Sequence, residues 1–390
     1  MSPTVAVVGA SLAGLSAARA LRNQSYDGRI VVIGDEAHAP YDRPPLSKEF
    51  LAGTASLDDI TLGAPDDEDL GLEWRLHTTA VGLDHLSRSV LLEDGSEIRA
   101  DGVVLATGAR ARRLPGSEGL DGVHVLRSLD DAIALREELA AAGRLVVIGA
   151  GFIGAEVAST ARALGLEVTV VETQPVPLAG PLGAEMGAVC AGLHADHGTR
   201  LLTGTGVAGL VGAGRVEAVE LTDGTRLPAD VVLVGIGATP NIEWLAHSGV
   251  ALGNGVLTDA RCVTNIPGVV AVGDCAAAWS AAAERHVRIE HWTHALEQPA
   301  TAAAALLGTG GPTTTPVPYF WSDQYGARIQ FAGSRRDGDV ARVLEGSCAD
   351  RSFLVVYERH GQPVAVLGMN QPRLFTRWRR QLRSAVLTQS

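Results

Sequence analysis

Val5-Ala6-Val7-Val8-Gly9-Ala10-Ser11-Leu12-Ala13-Gly14 and Leu145-Val146-Val147-Ile148-Gly149-Ala150-Gly151-Phe152-Ile153-Gly154 are two copies of one pattern. Each is a short β-branched run, then a glycine turn, then an alanine-rich stretch of helical composition. The first helix is expected to run to about Leu21. The second is expected to stop at Gly165, a residue suited to a left-handed C-cap. A second apolar strand follows each helix: Ile30-Val31-Val32-Ile33 and Val168-Thr169-Val170-Val171. Two strand–helix–strand units predict an α/β chain with two dinucleotide sites.

A glycine turn lets a pyrophosphate approach the backbone at a helix N-terminus, where the amides and the helix dipole stabilise its charge. Gly149, Gly151 and Gly154 complete the G-x-G-x-x-G spacing, whereas the first copy has Gly9 and Gly14 with Ser11 between them. Serine is small enough to keep the approach open. An acidic residue ends the next strand of each unit, Asp35 in the first and Glu172 in the second, where a carboxylate accepts hydrogen bonds from a ribose diol. Glu172 is followed by Thr173 and Gln174 with no neighbouring base. That favours NADH over NADPH, because a carboxylate repels a 2′-phosphate.

A chain of 390 residues needs two or three cores. No apolar run reaches the ~18 residues of a membrane helix, and nothing resembling a signal peptide precedes Val5, so a cytoplasmic protein is expected. Cys190, Cys262, Cys275 and Cys348 have neither metal-ligand nor redox spacing, so no metal site is expected. The net charge of −12 argues against nucleic-acid binding. Charge is uneven: 11 arginines face six acidic residues from Gly311 to Ser390. Such a basic tail either docks an acidic partner or forms a solvated surface, with Arg373, Arg377, Arg379, Arg380 and Arg383 as the docking candidates. The whole chain has 31 arginines and one lysine, Lys48. A compact ammonium that survives such a bias marks a position a planar guanidinium does not fill.

Further apolar strands end in glycine turns at Val103–Gly108, Val231–Gly235 and Val269–Asp274. Gly308 to Pro318 is rich in Gly, Thr and Pro and reads as a linker. Strand-like pieces at Arg328–Ala332 and Phe353–Tyr357 follow, in what reads as a separate α+β domain.

Specific motifs extend this pattern: Pro40-Tyr41-Asp42-Arg43-Pro44-Pro45-Leu46-Ser47-Lys48, Ala106-Thr107-Gly108, Gly149 to Glu156, Gly237-Ala238-Thr239-Pro240-Asn241, Val272-Gly273-Asp274, Glu290-His291-Trp292-Thr293-His294-Ala295 and Tyr319 to Gln324. On these residues, over nearly its whole length, the chain resembles the FAD-dependent ferredoxin reductases, the family of putidaredoxin reductase, rubredoxin reductase and the reductases of aromatic-ring dioxygenases. Apoptosis-inducing factor shares that architecture. The resemblance implies a discontinuous FAD domain (1–110 and 233–307), an inserted NAD domain (111–232) and a C-terminal domain (312–390). It implies that Gly9, Ser11, Gly14, Asp35, Arg43, Lys48, Thr107, Gly108, Asp274 and Trp292 hold FAD. Gly149, Gly151, Phe152, Ile153, Gly154, Glu156, Glu172 and Gly237 would hold NAD(H). Lys48 would pair with Glu156 beside the reacting rings as the catalytic pair, and Phe152 would stack where nicotinamide enters.

Related disulfide reductases, peroxidases and oxidases use cysteine beside the flavin, but Tyr41 to Phe50 contains none. Without a thiol relay the flavin has to pass electrons on itself. The expected activity is therefore NADH-dependent reduction of a small iron–sulfur ferredoxin, of [2Fe-2S] or another type, that feeds a cytochrome monooxygenase or ring-hydroxylating dioxygenase. The competing readings are an NADH oxidase or quinone or dye reductase, and a redox-gated binding protein like apoptosis-inducing factor.

Overall fold

The apolar run Thr4–Val8 is buried at every residue because it lies at the centre of a parallel sheet covered on both faces. The computed structural model describes residues 3–281, 283–310 and 317–389. In the first sheet the order is Val269–Ala271, Gly102–Leu105, Thr4–Val8, Arg29–Ile33 and Leu72–Arg75, all parallel. The second sheet repeats the plan with Arg200–Thr203, Glu167–Glu172, Arg144–Ile148, Val231–Val234 and Val123–His124. Each sheet has its helix after the glycine turn, Leu12–Asn23 in the first and Phe152–Ala163 in the second. The first helix runs two residues past Leu21. The second ends as expected, with Gly165 at φ +92° donating its amide to the Arg162 carbonyl.

The first sheet takes Gly102–Leu105 and Val269–Ala271 from either side of the second in sequence. The two crossings lie side by side: Ala109–Ala111 pairs antiparallel with Ala238–Pro240, and Arg110 bridges to Glu243. Val231–Val234 pairs along its length with Leu145–Ile148, so the expected break between 232 and 233 falls inside a strand of the second sheet. An apolar run buried on both faces reads the same in either sheet, which is why sequence misplaced it.

The third sheet is antiparallel, ordered Tyr319–Gln324, Ala327–Gly333, Gln362–Met369, Ser352–Arg359 and Val340–Ser347. Both of its faces are covered. Ile329, Phe353 and Val355 pack on Met186 and Leu193 of the helix Ala184–Asp196, while Leu354 and Val356 pack on Phe375 and Leu382 of the final helix, Pro372–Gln389. The third sheet is thereby docked on the second domain, and Tyr357 Oη donates to the Leu182 carbonyl at 2.6 Å. Most of the expected Gly308–Pro318 linker, including the C-terminal domain's expected start at 312, lies outside the described residues.

Candidate functional site

The two glycine turns have the same geometry. A Cβ at Gly9 would lie 2.0 Å from the Ala106 carbonyl oxygen, and one at Gly149 would lie 2.4 Å from that of Gly235; both residues sit at positive φ. Gly14 and Gly154 are closed in the same way by the carbonyls of Gly9 and Gly149. These four glycines let strand, turn and helix touch. Gly151 differs, since a Cβ there meets nothing within 4 Å, and the same holds for Gly108 and Gly237. The open space beside Gly151 is a cradle at the start of a helix with no side-chain cap. The helix Leu12–Asn23 also lacks a side-chain cap, and the Ser11 hydroxyl has no partner among the described residues.

The acidic residues after the second strands are placed differently. Asp35 is exposed, and its carboxylate has no partner among the described residues; its neighbour Glu36 is held by Tyr41 and Arg43. Glu172 accepts the Ala150 amide at 2.9 Å and the Gln174 amide at 2.8 Å, which pins it under the second turn. Ile153 and Ile236 are exposed on either side of that turn. The uncapped helix start at Ser11 with the free Asp35 carboxylate fits a dinucleotide at the first sheet, and the open cradle at Gly151 fits one at the second.

All three domains meet at Glu156. It lies one turn into Phe152–Ala163 and meets Lys48, whose loop is set by Pro44 and Pro45 at the head of a short 3-10 turn. Lys48 Nζ donates to Glu156 Oε2 at 2.8 Å, and the Ser47 hydroxyl donates to the same oxygen at 2.5 Å. From the third sheet, the Ser322 hydroxyl donates to Oε1 at 2.6 Å and accepts from Gln324 Nε2 at 3.0 Å. Thr160 holds the Ser47 carbonyl at 2.8 Å, which fixes the loop to the helix. Three donors on a buried carboxylate satisfy what burial would otherwise leave unpaired.

Around this centre lies an aromatic wall. Phe152 packs on Phe320 at 4.7 Å between ring centroids, and His291 packs on the same ring at 5.2 Å. Trp292 Nε1 donates to Asp42 at 2.6 Å and meets Trp321 edge-on at 5.9 Å. Burial pushes the Asp42 carboxyl up, while Trp292 and Lys48 pull it down.

Arg43 donates to Glu36 and to the Arg127 carbonyl. Arg127 in turn reaches Asp274 at 2.5 Å. The Thr107 hydroxyl is committed to the Asn241 carbonyl at 2.6 Å, where it ties the two crossings together. Sequence reasoning missed Arg127, Ser322 and Gln324, and from Glu290–Ala295 it took only Trp292. The Nδ1 of His291 is buried without a partner among the described residues, and burial pushes its imidazole down to about 4. All four cysteines are free and three are buried. Among the described residues none hydrogen-bonds Lys48 or Glu156, and Cys275, next to Asp274, turns its thiol to the Leu105 and Val272 carbonyls.

Two parallel sheets with open glycine turns, converging on a Lys–Glu pair and closed by a third domain, define a two-nucleotide flavoprotein reductase. Residues 3–299 match the family model described as pyridine nucleotide-disulphide oxidoreductase, and 319–389 match one described as reductase C-terminal; the chain belongs to the pyridine nucleotide-disulphide oxidoreductase family. A chlorobenzene dioxygenase ferredoxin reductase component from a Cupriavidus species is 40% identical over 377 residues, covering 96% of this chain and 91% of the relative. Putidaredoxin reductase of Pseudomonas putida is 38% identical over 378 residues, covering 94% and 89%. The solved covalent putidaredoxin reductase–putidaredoxin complex matches with a TM-score of 0.93 at 36% identity, over 98% of this chain and 93% of that one.

Proposed function

We propose that this chain is an NADH-dependent ferredoxin reductase that carries FAD and hands electrons to a small iron–sulfur protein serving a terminal oxygenase. The observation that carries the reading is the Glu156 centre, to which all three domains contribute and whose partners among the described residues include no cysteine. Bound FAD supplies acceptance of a hydride and release of electrons one at a time.

Gly9, Ser11, Gly14, Asp35, Arg43, Arg127 and Asp274 would hold FAD. Lys48 and Trp292 would stand at its ring system. Gly149, Gly151, Gly154, Glu172 and Gly237 would hold NAD(H), with Phe152 and Ile153 closing over the nicotinamide end. Glu156 holds the Lys48 ammonium in one place, and Ser47 and Ser322 hold Glu156. The domain division that best fits the strand order is 1–110 with 235–307, 111–234, and the C-terminal sheet with its helix. No described helix is long and apolar enough to cross a membrane. Four unpaired cysteines suit the cytoplasm.

The test is anaerobic addition of NADH to the FAD-loaded chain, followed by an oxidised [2Fe-2S] ferredoxin. Bleaching of the flavin and then reduction of the cluster are expected, with slow NADH consumption when oxygen is the only acceptor. A chain that consumes NADH as fast with oxygen or a quinone as with ferredoxin would be an oxidase or quinone reductase instead.

A further inference from the structure

The strand Val340–Ser347 closes one side of the C-terminal sheet, and among the described residues no strand lies beyond it. Its apolar residues are open to solvent: Val340 is 59% exposed, Val343 43% and Leu344 39%. An edge of this kind is a template for another strand.

The strand has one bulge. Val343 lies opposite Val355 and Glu345 opposite Leu354, so Leu344 is the extra residue. Arg342 lies opposite Val356. Leu354 and Val356 share the face that packs on the final helix, whereas Val355 belongs to the other face. Residues three apart in a regular strand point to opposite faces. Here the bulge brings Arg342 and Glu345 to the same face.

Consider two copies of this strand laid antiparallel about a two-fold axis normal to the sheet, passing between Val343 and Leu344. That axis falls at the middle of the eight-residue strand. It sets Arg342 against Glu345 of the second copy twice, and Val343 against Leu344 twice. Such an axis keeps each face on its own side, so opposed residues must share a face. Without the bulge the charged pairs would fail that condition. Glu345 is exposed and has no partner among the described residues. Arg342 is 61% exposed and holds Glu358 at 3.3 Å, and its guanidinium has donors left for a second carboxylate.

We propose that this edge is a self-association site and that its occupant is a second copy of this chain. A bulge ordinarily blunts an edge against pairing. Here it makes the edge complementary to itself in both charge and apolar contact.

Sedimentation of the FAD-loaded full chain over a concentration series tests this, with Arg342→Glu and Glu345→Arg measured alone and mixed. The wild-type chain is expected to pass from monomer to dimer. Each single reversal sets like charges together twice and should weaken association roughly tenfold or more. Mixing the two reversed chains should restore it, because every charged pair in the mixed dimer is again opposite in sign. Unchanged flavin absorbance and NADH–ferricyanide activity would show that the variants are folded, since neither residue lies in the cofactor machinery. A wild-type chain that stays monomeric at every concentration overturns the proposal. So does a dimer indifferent to both reversals, or a mixture that associates no better than its components.

Discussion

Lys48 and Glu156 lie 108 residues apart in the chain and meet in a 2.8 Å ion pair, with side chains only 13% and 5% exposed. Breaking a buried pair from one side leaves an uncompensated charge, at about 3–5 kcal/mol. Glu156→Gln and Lys48→Met are each expected to lower the unfolding free energy by roughly 3 kcal/mol. The double variant should lose clearly less than the sum. Denaturant unfolding in a double-mutant cycle measures the coupling, and additive losses would mean that neither side chain depends on the other.

Ser322 is the third domain's only direct donor to that carboxylate among the described residues. Hydrogen bonds to charged groups contribute about 1.5–3 kcal/mol. Ser322→Ala is expected to destabilise the chain on that scale and to slow flavin reduction by NADH in stopped flow. Ser322→Thr keeps the hydroxyl and should recover most of both. If the alanine variant behaves like the parent in both measurements, the third domain does not position Glu156.

Gly151 and Gly154 are expected to respond in opposite ways. A methyl at Gly151 enters open space, so Gly151→Ala should melt near the parent temperature yet raise the KM for NADH about tenfold, by filling the phosphate cradle. A methyl at Gly154 lies 2.2 Å from the Gly149 carbonyl oxygen, so Gly154→Ala should fold poorly whatever the nucleotide. Thermal melts beside NADH titrations separate the two effects.

His194 is buried, and burial pushes its imidazole down to about 4 from 6.5. Its Nδ1 is paired with the Tyr325 hydroxyl at 2.9 Å, where the third sheet docks on the second domain. Between about pH 4 and 6.5 the unfolded chain therefore binds more protons than the folded one. Stability is then complete above pH 6.5 and falls as pH drops towards 4, by an amount of order 3 kcal/mol for this one group. His194→Gln should flatten that slope in denaturant unfolding at pH 7 and pH 5. An unaltered slope would place the acid sensitivity elsewhere.

Local features of the site were legible before the structure was. The glycine turns and the acidic residues after the second strands follow from spacing within single strand–helix–strand units, and Lys48 stood out as the one lysine beside 31 arginines. What was hidden depends on docking. Ser322 reaches Glu156 across 166 residues, and Arg127 reaches Asp274 across 147. Periodicity says nothing about which faces of separate domains meet. Thr107 shows the same limit from the other side: its motif was visible, but not that its hydroxyl would be taken by Asn241 in the second crossing.

The final helix, Pro372–Gln389, sorts the five arginines of the basic tail. Phe375 and Leu382 turn inward, and Arg379 lies over the Tyr319 ring at 3.9 Å from its centroid, so Arg379 is a packing residue rather than part of a free basic face. Arg373, Arg377, Arg380 and Arg383 are exposed and have no acidic partner among the described residues. Four uncompensated charges on one helix attract an acidic protein from a distance, and salt screens that attraction. Arg377→Glu with Arg380→Glu is expected to lower kcat/KM for an acidic ferredoxin by about tenfold at low salt, chiefly through slower association. Ferricyanide, a small acceptor with no docking surface, should be reduced at close to the parental rate. The difference between parent and variant should shrink as salt rises. A ferredoxin rate that ignores both salt and these reversals would leave the helix as a solvated surface and move the docking face to another part of the molecule.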